Sequence, residues 1–173
     1  MTFVVRPARP EEYAAVGQLT VAAYRADGLL EAADHPVESS YEGQLLDAAR
    51  RAREAELWLA VDMDGAILGT VTWCPRRSPW RQLALRDDQA EFRMLSVAPA
   101  GRRRGVGRAL VEACLSRARQ DGMSEVVIWS HPLMTGAHLL YEKMHFERAH
   151  DLDGSPAPGV HLWGFRLWLT ASS

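Results

Sequence analysis

The sequence predicts a mixed α/β (α+β) fold: a mostly antiparallel central sheet of about seven strands flanked by about four helices. Three observations predict it. Strand-like and helix-like patterns follow one another in the order β-α-α-β-β-β-α-β-α-β-β. The central β-α-β-α run implies one parallel strand pair joined by a helical crossover. Asp64-Gly65, set between two β-rich runs, marks a hairpin and with it antiparallel pairing. The 173 residues suit one domain spanning 1–173 with a single core, and neither a repeat nor a linker divides them.

Phe3 to Arg6 reads as a short strand, stopped by the prolines at 7 and 10. A helix begins near Pro10-Glu11-Glu12, where acidic residues suit the first turn. Tyr13, Val16, Leu19, Thr20 and Ala23 form its apolar stripe, and Asp27-Gly28 ends it. Leu29 to Ser40 is polar and irregular, and a second helix is expected from Tyr41 to Glu54. Leu57 to Val61 and Ala66 to Trp73 are the hairpin strands around the turn Asp62 to Gly65. Cys74 to Ala90, with two prolines, four arginines and two aspartates in no period, reads as a long loop. Glu91 to Val97 is a strand, Pro99 to Arg104 a turn, and Gly105 to Gln120 a strongly amphipathic helix closed by Asp121-Gly122. Glu125 to Ser130 is a buried strand and Thr135 to Met144 a helix. Phe146 to Asp151 and Val160 to Leu169 are expected as the last strands, joined by the Gly/Pro-rich segment Asp153 to Gly159.

Composition narrows the function. Hydrophobic residues at 47% and charged residues at 24% exclude a disordered chain. A net charge of −2 excludes a polycation built to coat nucleic acid or an anionic membrane, so no nucleic-acid or membrane partner is expected. Cys74 and Cys114 are far apart and form no C-x-x-C pair, and no histidine pair has zincin spacing. The chain is therefore expected to lack a disulfide framework and a metal. Neither a signal-peptide apolar region nor a run of roughly 18 apolar residues is present, which leads to the expectation of a soluble cytoplasmic protein.

The chemistry concentrates in Glu91-Phe-Arg-Met-Leu-Ser-Val-Ala-Pro-Ala-Gly-Arg-Arg-Arg-Gly-Val-Gly-Arg-Ala-Leu110, where a strand runs through a basic turn into a helix. A helix N-terminus presents free N–H groups and partial positive charge, so it attracts a phosphate. Gly105 and Gly107 let the backbone approach an anion, and Arg102, Arg103, Arg104 and Arg108 surround the same point with permanent charge. The loop lacks the lysine and Ser/Thr of a Walker A motif, and Leu110 stands where a dinucleotide fingerprint needs a third glycine. By spacing alone it reads either as an anion site or as a solvated basic turn that caps a helix.

The block from Leu95 to Leu110 resembles motif A, V-x-P-x-x-R-x-x-G-x-G, of the GCN5-related N-acetyltransferases (GNAT family). Ala137-His-Leu-Leu-Tyr-Glu-Lys-Met-His-Phe146 is similar to that family's A-x-x-L-Y-E-K-x-G-F block, and Val5-Arg-Pro-Ala-Arg-Pro-Glu-Glu12 to its opening. The resemblance spans nearly the whole chain. It implies acetyl-CoA as acyl donor, with the pyrophosphate on Arg102, Arg103, Arg104, Gly105, Val106, Gly107 and Arg108. It further implies that a bulge frees backbone groups of Leu95, Ser96 and Val97 for the pantetheine arm, with Met134, Ala137 and Tyr141 also at the cofactor. Two positions depart from the pattern: His145 replaces the usual glycine, and Met134 stands where asparagine is common.

The resemblance also implies roles. Tyr141 is expected to protonate the departing thiolate, for which a phenol of pKa near 10 is suited. Glu91 is expected to take the acceptor's proton, since an amine of pKa near 10.4 needs a proton path at neutral pH. His131 and His138 lie where either could touch cofactor or substrate, and Trp73 and Trp80 bracket the long loop that could form an acceptor pocket. The expected acceptor is a primary amine on a small molecule or peptide, and the chain a monomer or homodimer. Two rival classes are a non-catalytic acyl-CoA sensor, which needs the loop but not Tyr141, and a nucleic-acid binder using the same arginines.

Overall fold

A computed structural model describes residues 2–30 and 36–170. The first strand, β1 (Phe3–Pro7), sits at the sheet edge, where a proline forfeits no ladder bond. A 3-10 turn at Pro10–Glu12 leads into α1 (Tyr13–Ala26), and Arg6 ties the turn to the strand by a bidentate pair with Glu12 at 2.6 and 2.9 Å. The second expected helix is two: α2 (Pro36–Leu46) and α3 (Ala48–Glu54). The break falls at Asp47, whose side chain accepts the Arg50 amide at 3.0 Å and so starts a new helix. Residues 36–40, read from sequence as irregular, are helical, because a proline lacking its N–H is tolerated in a first turn. Residues 31–35 of that segment lie outside the described residues.

β2 (Glu56–Asp62) and β3 (Ile67–Cys74) form the expected hairpin, and β4 (Gln89–Val97) follows the irregular loop. Then come α4 (Val106–Gln120), β5 (Glu125–Ser130) and α5 (Thr135–Lys143). The expected strand from Phe146 to Asp151 is only β6 (Glu147–Arg148), followed by a 3-10 turn at His150–Leu152. The chain turns there because the Trp129 indole donates to the Leu152 carbonyl at 2.7 Å, and Asp153 accepts a fork of bonds from Arg148. The supposed connector contains β7 (Gly154–Ala157), which pairs with β8 (Val160–Trp168) only at Gly154↔Leu162 and Ala157↔Val160, bypassing Pro156. A proline offers no donor to a ladder, and this disguised the strand.

Among the described residues the sheet has eight strands in the order β1-β2-β3-β4-β5-β8-β6, with β7 on β8, and only β4 and β5 run parallel. Helix α4 buries Val106, Leu110, Val111, Cys114, Leu115 and Ala118 on one face of the sheet, against Leu68, Val71, Trp73 and Phe92. Each of the valines and leucines among them contributes roughly 1.5–3 kcal/mol of transfer free energy. Helices α1 and α3 cover the opposite face, where Val16 and Ala48 meet Leu57, Leu59 and Val61. Among the described residues, no helix is long and apolar enough to cross a membrane.

Candidate active site

The site forms where β4 and β5 part. Their parallel pairing covers only Gln89↔Glu125, Ala90↔Val126 and Glu91↔Val127, yet β4 continues to Val97 and β5 to Ser130. On its other side β4 keeps β3, but the register jumps from Thr72↔Arg93 to Thr70↔Ser96, so β4 carries one extra residue. Met94 absorbs it with φ of 54°, a left-handed conformation that a non-glycine residue adopts only against a cost of about 1–2 kcal/mol. Side chains alternate along a strand, so Glu91 and Arg93 share one face and Phe92 takes the other. The bulge then turns Met94 to the same side as Arg93, into the buried cluster that also holds Tyr24 and Trp80. Backbone groups of Phe92 to Val97 that would have met β5 have no strand partner and face an open wedge.

The wedge opens toward the N-terminus of α4. Amides from Arg103 through Arg108 have no acceptor within the protein among the described residues, and the first helical bond runs from the Ala109 amide to the Gly105 carbonyl. Gly105 is the N-cap with φ of 77°, a conformation strained for any residue with a Cβ. Gly107 is needed for a different reason. A Cβ there would stand 3.2 Å from Leu140 on α5 and 3.5 Å from Val97 on β4, so its absence lets three elements converge. The four arginines also divide. Arg104 turns back onto the Ala100 carbonyl at 3.0 Å, and Arg108 pairs with Glu112 at 2.8 Å. Arg102 and Arg103 are exposed and make no ion pair among the described residues. Unclaimed amides, a helix dipole and two uncommitted guanidinium groups fit a pyrophosphate.

Helix α5 closes the wedge from the other side. Met134 is its N-cap, without a side-chain cap bond because a thioether cannot do what an asparagine would. Its C-terminus ends in a Schellman motif: the His145 amide donates to the Glu142 carbonyl at 3.0 Å and the Phe146 amide to the Tyr141 carbonyl at 2.9 Å. His145 is left-handed, φ 67°, which is why glycine is the ordinary choice there. Tyr141 is buried among Phe92, Phe146 and Phe165, with ring centroids 5.5–6.3 Å away. Its hydroxyl makes no hydrogen bond among the described residues, and burial pushes its pKa well up.

Beside the wedge lies a cavity of about 90 Å³, lined among others by Glu91, Arg93, Met94, His131 and Met134. Glu91 is 1% exposed and anchors the long loop: its Oε2 accepts the amides of Gln82, Leu83 and Ala84, each at 3.0 Å. Gln89 accepts the next two amides, those of Leu85 and Arg86, at 3.0 Å. The other Glu91 oxygen has no partner among the described residues. Glu91 does not pair with Arg93, whose guanidinium instead donates to the Trp80 carbonyl at 3.1 Å. His131 lines the cavity with Nδ1 accepting the Leu133 amide at 3.1 Å, and burial lowers its pKa. His138 is likewise lowered, chiefly by burial, bonds Ser130 at 3.1 Å and stacks on Trp163.

Sequence reasoning missed the cavity's other walls. Trp73 and Trp80 do not line it: Trp73 stacks on Trp58 in the core of the opposite face, and Trp80 lies beneath Arg93 and Arg50. Tyr24 and Tyr41 line it instead, together with Trp129, and no local pattern in α1 or α2 announces that. Arg93 was visible two residues from Glu91, which on a strand means the same face.

A family model described as "Acetyltransferase (GNAT) family" matches residues 19–146. The chain belongs to this family. Among relatives, "N-acetyltransferase family 8 member 3" of Rattus norvegicus is 35% identical over 91 residues, 53% of this chain and 38% of that protein. "Mycothiol acetyltransferase" of Cellulomonas flavigena is 31% identical over 144 residues, 75% of this chain and 40% of that one. The chain thus spans about two fifths of the length of these relatives. The PaiA N-acetyltransferase of Thermoplasma acidophilum, solved with coenzyme A, superposes with a TM-score of 0.73 at 12% identity, covering 98% of this chain and all of that one, which is a likeness of fold. The splayed β4–β5 pair is thus set in a GNAT fold, on the sheet order described above. Among the described residues no His, Cys, Asp or Glu cluster could hold a metal ion.

Proposed function

We propose that this GNAT chain transfers an acetyl group from acetyl-CoA to a primary amine by direct attack. The observation that carries the reading is that two sets of unclaimed backbone groups adjoin. The Arg103–Arg108 amides and the parted edge of β4 come together where Gly107 packs beside Val97, and that edge borders a cavity at the start of Tyr141's helix. Bound acetyl-CoA supplies a thioester carbonyl and, on transfer, a thiolate that must be protonated. The α4 amides with Arg102 and Arg103 hold the pyrophosphate, and Gly105, Val106 and Gly107 keep the backbone close to it. Leu95, Ser96 and Val97 offer main-chain groups to the pantetheine arm, and an N–H there polarises the thioester carbonyl. Met134 and Ala137 form the facing wall on α5.

As the amine nitrogen bonds to the carbonyl carbon and the C–S bond breaks, Tyr141 gives its proton to sulfur. Burial keeps that phenol protonated throughout the neutral range. The free oxygen of Glu91 receives the amine's proton or orients the ammonium that loses it, its partner oxygen being locked by three amides. The reading extends to one catalytic unit over residues 1–173 in the cytoplasm, where the free buried thiols of Cys74 and Cys114 remain reduced. It is supported by Tyr141, which a mere acyl-CoA sensor would not require.

The test is stabilisation by acetyl-CoA followed by thiol release with an amine panel. A ligand that binds only the native state at 100 times its Kd raises stability by about 2.7 kcal/mol, a clear rise in Tm. No shift at saturating acetyl-CoA sinks the reading. A shift without thiol release on any amine favours the sensor.

A further inference from the structure

Resting on the acyl-transfer reading, we propose that the acceptor is a small amino carboxylate, with its amine at Glu91 and its carboxylate at Arg93. Glu91 and Arg93 both line the cavity from one face of β4, yet they make no ion pair with each other. Two residues along a strand separate their Cα atoms by roughly 6.5 Å, and their side-chain lengths let them address opposite ends of one small molecule. A built-in anion and a built-in cation, held apart in one pocket, match a ligand of the inverse charge pattern.

A second observation points the same way. Arg51 is 0% exposed and has no carboxylate partner among the described residues. It bonds only neutral groups: the Thr72 and Thr20 hydroxyls at 3.1 and 3.2 Å and the Leu45 carbonyl at 2.8 Å. The acid nearest to it in charge coupling, Asp47, uses its carboxylate to cap α3. Burial pushes Arg51 down to about 10, which still leaves it a cation at neutral pH. The Asp47 carboxylate favours that charge and the Arg93 guanidinium opposes it, so Arg51 adds positive potential on the Arg93 side of the cavity. Two cations on that side repel each other, and a bound carboxylate removes the conflict. Tyr24, Leu29, Tyr41, Met94 and Leu162 give the cavity an apolar or aromatic side, which suits an apolar side chain, while Gln82, Ser130 and His131 add polar groups elsewhere on the wall.

The experiment compares L-alanine with L-alaninamide and ethylamine, and L-valine with L-valinamide, as acceptors with acetyl-CoA, acceptors small enough for a cavity of about 90 Å³. The amide is the decisive control: it keeps the side chain and has the less basic amine. Amine protonation therefore favours the amide, and a preference for the acid must come from the carboxylate. The expected result is a kcat/KM for the acid at least about tenfold above that of its amide, the range of one charge-assisted bond. Arg93→Met should reduce that ratio to less than about threefold, and Arg93→Lys should restore part of it because the charge returns without the fork. Equal or better use of the amides overturns the inference while acyl transfer stands. Use of no amino carboxylate by a protein that acetyl-CoA stabilises also overturns it. Absence of that stabilisation removes the acyl-transfer reading itself, and the two failures stay distinct. Should Arg93→Met not fold, the wild-type ratio alone decides.

Discussion

Glu91 Oε2 accepts the Leu83 amide at 3.0 Å, so the residue expected to serve the acceptor's proton also holds the loop over it. With the Gln82 and Ala84 amides, three donors converge on one oxygen. Glu91→Gln keeps the shape but replaces a charged acceptor with a neutral one. The expected loss is about 1–2 kcal/mol of stability, read from denaturant unfolding, with at least a tenfold fall in kcat/KM for the amine. Full activity in a variant with an unshifted pH profile would remove Glu91 from the chemistry and leave it as a loop anchor.

Tyr141→Phe removes one hydroxyl from a site whose rings it otherwise leaves packed against Phe92, Phe146 and Phe165. Stability should change by less than about 1 kcal/mol and acetyl-CoA affinity by less than about threefold, while turnover falls by about 10²-fold, as for loss of a positioned acid. Because burial raises the phenol's pKa, Tyr141 contributes no basic limb to the rate profile below pH 10. A wild-type rate in Tyr141→Phe would reassign the acid.

Gly105→Ala places a Cβ on the α4 N-cap at φ 77°, in open space but in strained backbone. A loss of about 1–2 kcal/mol follows from the conformation alone. Acetyl-CoA should bind several-fold more weakly, because relief of the strain rotates the amides that face the pyrophosphate. Calorimetry of both ligand binding and unfolding checks the two effects separately.

His145→Gly tests the opposite case. His145 holds the C-terminal left-handed position of α5 at φ 67° with its side chain exposed. Glycine adopts that conformation without the Cβ clash, so stability should rise by up to about 1 kcal/mol and Tm by roughly 2–4 °C. An unchanged or lower Tm would show that the imidazole makes a compensating contact.

Acid sensitivity has a local source at the β6–β8 corner. Asp153 accepts Arg148 at 2.6 and 2.7 Å and the Gly164 amide at 2.9 Å, and these hold its carboxyl down at about 2. A folded-state pKa below the unfolded value means stability is complete above pH 4 and is lost as pH falls toward 2. Asp153→Asn should therefore lower Tm at pH 7 and flatten its decline between pH 4 and pH 2. Parallel curves for wild type and variant would refute the assignment.

Most helix and strand positions were legible because each is encoded by spacing within a few residues. The stripe of Val106, Leu110, Val111 and Cys114 turns α4 toward the sheet wherever that sheet lies. The errors occur where a distant partner overrules local pattern. Glu147 onward looks like one strand until Trp129, two elements earlier, draws in the Leu152 carbonyl. Gly154–Ala157 looks like a connector until β8 supplies its partner.

The anion cradle and Tyr141 share this legibility. A glycine N-cap, a basic turn and a tyrosine near a helix end are all local features, so the sequence by itself determined the basic glycine turn, its helix and the family. Only the tertiary structure decided where β4 leaves β5, that Met94 takes the strained bulge, and that Arg93, Tyr24 and Tyr41 line one cavity with Glu91. The physical reason is range. Backbone conformation and periodicity act over about four residues, whereas the cavity beside Glu91 is assembled from α1, α2, β4 and β5, whose proximity arises only when the sheet and its two helical layers pack.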